Sequence, residues 1–227
     1  MKITIQKEVF KKFHSKFAVA FIQVKNISNE HVKESKHLLA DIVRVVKLTH
    51  KKDTLKNNNL ISPWEVLVED KKKKAKHYQT SLEKLVRKVL NRKNLVTNSI
   101  VTNIVRYVSL KHLIPISADD VDLMKGGVVF KISHGRERLY TKLVKPGTLI
   151  YGDKKSPIGV KLDFRKNRRT KVTKKSTDVL VHLEALPPIT KVQLFTIAKE
   201  TAQLLQDFCN AKTKVVVLHQ RKNTATL

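Results

Sequence analysis

Small polar side chains and carboxylates gather in one stretch of this chain. Ser109 lies near the end of an apolar run, Ile114-Pro115 closes that run, and Ser117, Ala118, Asp119, Asp120 and Asp122 follow within a few residues. Such groups, delivered to a corner by a buried helix, can line a pocket. Asn103 and Tyr107, about one helical turn apart, either point into that pocket or bond neighbouring loops. Asp119 to Asp122 have a plainer reading as caps and turn hydrogen bonds. Elsewhere, His182 stands two residues before Glu184, so in a strand both side chains face one way. The spacing suits a coupled acid–base pair, although a pair on a strand surface is the favoured reading. A Ser–His–Asp arrangement using Ser117 or Ser109 stays open, but no G-x-S-x-G elbow supports it. The nine histidines show no ligand spacing with Cys or Asp, so no metal site is expected. Cys209, the single cysteine, excludes an internal disulfide and lies among Leu204, Leu205 and Phe208. It reads as a buried small residue rather than a nucleophile.

The elements that must position these groups follow from periodicity. Ile100, Val101, Ile104, Val105 and Val108 recur at helical spacing, and Pro115 should end that helix before a polar corner at 117–120. Residues 2–10 alternate like a strand, and residues 17–24 form a continuous apolar run expected as a buried strand. Ser28 or Asn29 is placed to cap a helix carrying Val32, Leu38, Leu39, Ile42, Val43 and Val46. Residues 51–62 read as a loop, anchored on the core by Trp64. Thr80 to Glu83 and Thr190 to Gln193 have the capping-box spacing of two further helices. Between these helices, 128–133 and 138–144 suit strands joined by a hairpin at His134-Gly135. Residues 149–151, 159–164, 179–183 and 214–218 are further strands, and 223–227 a frayed tail. The pattern predicts one α/β domain over 1–227, a mixed sheet layered with helices. Residues 1–62 supply its N-terminal strands, helix and loop.

Charge narrows the partner. Forty-seven Lys and Arg stand against nineteen acids, a formal charge of +28. Such a surface attracts polyanions, RNA or DNA first and anionic membrane second. A Lys-rich proteome would also produce some of this excess. The run from 165 to 175 contains no acid, and Arg165, Lys166, Arg168, Arg169, Lys171, Lys174 and Lys175 are its candidate phosphate contacts. The alternative for this run is a solvated loop, and the run at 71–74 is a weaker contact. Aromatic residues are only 6%, which suits folded RNA better than a base-stacking platform for single strands. No apolar run reaches the ~18 residues a membrane helix needs, and the N-terminus has no signal-peptide h-region. A cytoplasmic protein without a membrane partner is expected.

Residues 78–210 resemble the B3/B4 module of the phenylalanyl-tRNA synthetase beta subunit, and most of all its stand-alone form. Residues 76–219 are the most family-like part. The resemblance rests on His77-Tyr78, Ser81, Glu83, Leu85 and Arg87, then 98–101, Asn103, Val108-Ser109-Leu110, Ile114-Pro115-Ile116, Asp120 and Asp122. It continues in Tyr151-Gly152-Asp153, Phe164-Arg165, 170–173, Ser176-Thr177 and Val179-Leu180. No one motif decides it, and the order and spacing together carry it.

The resemblance implies an α/β layered sandwich with a pocket near 115–122. It implies binding of tRNA and hydrolysis in trans of a wrongly attached amino acid, without a cofactor. Ser117, Asp120 and Glu184 are then the catalytic candidates, and Asn103, Tyr107, Ser109, Pro115, Ala118 and Asp122 the pocket for an amino-acid ligand. The synthetase module carries histidine in a Pro-x-His-Ala-Phe-Asp run, whereas this chain has Ser117. A glutamate that reads the tyrosine hydroxyl falls near 181–184, where Glu184 sits about one position out of register. Nothing here resembles the ATP-binding motifs of a synthetase, so aminoacylation is not expected. The alternative to an editing hydrolase is a basic RNA-binding module that keeps the fold without the chemistry.

Overall fold

A computed structural model describes residues 1–64, 80–160 and 165–227. In chain order the elements are β1 Lys2–Ile5, α1 Lys7–Lys12, β2 Ala18–Lys25, α2 Val32–Thr49, α3 Ser81–Leu90 and α4 Ile100–His112. Then come β3 Ile116–Asp120, β4 Val128–Ile132, β5 Arg138–Leu139, β6 Lys142–Leu143, β7 Leu149–Gly152, β8 Pro157–Val160 and β9 Arg165–Lys166. The chain ends with β10 Val179–Ala185, α5 Lys191–Cys209, β11 Lys212–Leu218 and β12 Thr224–Thr226. Short 3₁₀ turns occupy Leu55–Asn57, Ser62–Trp64 and Arg168–Thr170. The expected basic run at 71–74, His77-Tyr78 and the end of the strand drawn over 159–164 lie outside the described residues.

Two sheets make the layers. One has the order β12-β1-β4-β7-β8-β9, the other β11-β2-β10-β3, and β5-β6 is a separate ribbon. β1 and β4 run parallel, and the remaining described pairs are antiparallel. The fold is therefore a mixed α/β sandwich with flanking helices. The continuous apolar sequence of β2 is explained by its central place, buried on both faces. Its Ala18, Ala20, Ile22 and Val24 pack with Val181, Leu183, Ile104, Val108, Leu194 and Ala198 beneath α4 and α5. Its other face, with Val19 and Phe21, packs with Phe130, Leu149, Tyr151 and Leu180 between the sheets.

α4 is the central helix. Ser99 Oγ accepts the Thr102 N–H at its start, and Leu113 ends it in the left-handed region at φ 49°. Asn29 does not cap α2 by its side chain, because its Oδ1 accepts the Ile100 N–H and its Nδ2 donates to Asn98 O. The loop before α2 thus fixes the start of α4. Thr190 and Gln193 form the full reciprocal cap of α5, and Trp64 is buried as expected.

Four local expectations are corrected. Residues 117–120 are a strand, not a corner, because pairing with β10 overrides the low strand propensity of Ser and Asp. Val9 belongs to α1, where it and Phe10 bury the inner side of a short helix. The strands near His134-Gly135 do not form one hairpin: β4 pairs with β1 and β7, and β5 pairs with β6. The tail is not frayed, since Thr224–Thr226 pairs antiparallel with β1.

Candidate functional site

β3 is the edge strand of its sheet, and a cleft of about 560 Å³ lies against it. α3 contributes Ser81 and Leu85, and α4 contributes Thr102, Val105, Arg106 and Ser109. Ile116, Ser117 and Ala118 form the strand side, and Lys166, Asn167, Arg168, Lys171 and Val172 the opposite wall. The helices present an apolar stripe with Thr102 and Arg106 at its margin, while the strand edge adds backbone and a hydroxyl. Four cations line this cleft, and no carboxylate or imidazole does among the described residues. Arg106 is fixed by a bond from its guanidinium to Leu95 O, and burial pulls its pKa below the ordinary value. Ser117 is 8% exposed. Ser109 Oγ donates to Ile114 O at 2.7 Å, which binds the end of α4 to the chain leaving it.

Behind the strand edge lies a buried ionic network. Strand alternation places Ser117 and Asp119 on the face shared with Leu180, His182 and Glu184, with Ser117 directly opposite His182. His182 Nδ1 is 2.6 Å from Glu184 Oε1, and its Nε2 is 3.6 Å from Asp119 Oδ2. All three residues are essentially inaccessible. Tyr151, Phe130 and Phe21 enclose the ring, with Tyr151 closest at 4.4 Å between centroids. The favoured reading of His182 and Glu184 as a surface pair is therefore wrong: a second sheet covers that face.

Asp119 reaches outward as well. Its Oδ1 accepts from Thr170 Oγ1 at 2.6 Å and meets Lys166 Nζ at 2.9 Å. Burial alone would raise its carboxyl pKa, but Lys166, His182 and Thr170 outweigh burial and hold it at about 2. Lys166 Nζ also donates to Ala118 O. One lysine thus joins the buried network to the wall of the cleft.

The sequence-derived candidates divide sharply. Ser109, Ser117, Ala118, Lys166, Arg168 and Lys171 meet in the cleft. Asp120 faces the other side of β3; its Oδ2 accepts from Ser176 Oγ at 2.5 Å and its Oδ1 from the Asp122 N–H. Asp122 itself is exposed. Glu184 stands behind β3 in the network, so the three catalytic candidates are not brought together. Asn103 is fully buried and tied to Ser35 Oγ, Thr97 O and the Thr97 N–H, clamping α4 to α2. Tyr107 packs beside the core under Lys111, and Pro115 O accepts the Glu184 N–H. Arg165, Arg168, Lys171, Lys174 and Lys175 are exposed, whereas Arg169 pairs with Asp153 at 2.9 Å. Arg106 and Thr102 were not picked out from sequence, and Asp119 was read there only as part of the polar stretch, with caps and turns as its plainer role. Treating 116–120 as a strand would have aligned Asp119 with Ser117, and a lone arginine on an apolar helix marks Arg106.

The sequence profile of the B3/4 domain matches residues 64–210. This chain belongs to the B3/4 domain family. No curated protein matches it closely. The cleft of this B3/4 domain lies wholly inside the matched segment. β1, β2, β11 and β12 fall outside that segment, yet they complete both sheets around it. Membership is consistent with a module like that of the phenylalanyl-tRNA synthetase beta subunit. No helix among the described residues is long and apolar enough to cross a membrane.

Proposed function

We propose that this B3/4 domain receives the aminoacylated end of a tRNA in the cleft and hydrolyses a mischarged ester in trans. The observation that carries the proposal is the cleft itself, with hydroxyls and cations on its walls and exposed Arg165, Lys174 and Lys175 near its basic wall. Its volume is within the range of small-ligand pockets. The basic segment neutralises backbone phosphates and sets the register of the RNA. In the hydrolysis, a water oxygen attacks the ester carbonyl, the bond to the ribose oxygen breaks, and that oxygen takes up a proton from the attacking water to leave as a hydroxyl. Ser117 orients the water, and Lys166 faces the oxygen on which negative charge develops. The Asp119–His182–Glu184 network holds Lys166 and β3 in place. Incubation with correctly and incorrectly charged tRNAs tests this: one mischarged species should lose its amino acid selectively.

One observation favours a second reading, a tRNA-binding module without hydrolysis. Among the described residues the cleft lining has no carboxylate or imidazole to serve as general base or to meet the substrate ammonium group. In that case tRNA binds in a salt-dependent way and every ester survives the same incubation.

A further inference from the structure

The far side of the four-stranded sheet ends in a different kind of surface. β11 is the edge strand there, and no described strand pairs with its outer side. Beside it the first turns of α5 expose the large apolar side chains Val192 (75%) and Phe195 (44%), the latter with Lys199 Nζ 5.7 Å from its ring centroid. These residues, Val215, Val216 and Val217, and Lys191, His219 and Lys222 line a groove of about 460 Å³. An edge strand of this length with apolar neighbours is a template for another strand.

We propose that this groove takes an extended, acidic segment of a partner polypeptide, added as a strand to the β11 edge. Backbone hydrogen bonds along β11 would supply affinity. Alternate side chains of the segment would lie over Val192 and Phe195, as the two-residue repeat of a strand requires. Charge selects the occupant. Lys191, His219 and Lys222 line the groove, and Lys212, Lys214 and Arg221 stand beside them. Neither β11 nor the turn after it contains an acid, and the first acid along α5, Glu200, is bound to Lys111 and His112. The same cations oppose a second copy of this chain, whose net charge is +28.

The test uses the full chain and a synthetic peptide of roughly seven residues alternating valine and glutamate. Two controls are the same peptide with alternate backbone amides methylated, and one with lysine for glutamate. Saturable binding that shifts the β11 amide resonances is expected. It should weaken at least about tenfold in the Val192→Glu, Phe195→Glu double variant and with either control peptide. Unchanged tRNA affinity and melting temperature in the variant would show that it is folded. Absence of binding, or equal binding by the variant or the methylated peptide, would overturn the proposal. Self-association of the chain abolished by the double variant would also overturn it, by assigning the edge to a second copy.

Discussion

Asp119 shows how a single side chain couples the interior to the cleft. Its pKa of about 2 lies below the ordinary 3.8, so the ionised carboxylate stabilises the fold above about pH 4. That contribution is lost as the pH falls toward about 2. Asp119→Asn should therefore destabilise the protein by about 2–4 kcal/mol near neutrality, with the gap narrowing below about pH 4. Urea unfolding of both proteins across the acid range checks this, and a gap independent of pH would contradict it. Glu137, also held at about 2, titrates in the same window but does so in both proteins and cancels. Ser117→Ala is expected to slow deacylation about tenfold or more while sparing tRNA affinity, measured by single-turnover ester loss and filter binding. Cys209 is fully buried and its thiol is pushed up to about 12. It should stay unlabelled by a thiol reagent near neutrality until the protein unfolds.

At the scale of elements, the edge position of β3 explains both the cleft and the limits of reading it from sequence. The helix at 100–112, the buried strand at 18–25 and the cap of α5 are legible because apolar period and capping chemistry are local signals. Ser117 to Asp120 carry no such signal. They become a strand only because β10 offers a partner, and that pairing turns Asp119 inward and Asp120 outward. The burial of His182 was equally hidden, since it depends on a second sheet closing over β10. The tail was misread for the same reason: β12 exists only against β1. Deleting residues 223–227 should remove that pairing, take the buried Leu227 side chain away and uncover Ile3, lowering the melting temperature by several degrees in a thermal scan. On the basic wall, Arg168→Glu with Lys171→Glu should weaken tRNA binding and flatten its salt dependence. Equal affinity and an equal salt slope would show that this segment does not touch RNA.

Across the whole molecule, the charge of +28 is spent unevenly. Some cations are tied into the fold: Arg169 pairs with Asp153, and Lys166 pairs with Asp119 while lining the cleft. Others, from Arg165 to Lys175, stand exposed beside a cleft of amino-acid size, and a third set borders the free edge of β11. Long-range attraction would bring an RNA to this surface, whereas the proposed hydrolysis would depend on the few groups at the β3 edge. The central claim is that the cleft both binds a charged tRNA and cleaves its ester. The direct measurement is a time course of amino-acid release from a panel of correctly and incorrectly charged tRNAs, with wild type and Ser117→Ala side by side. Selective release from one mischarged tRNA by the wild type, slowed in the variant at equal tRNA affinity, is the predicted result. Survival of every ester while tRNA still binds would contradict the hydrolase and leave a tRNA-binding module.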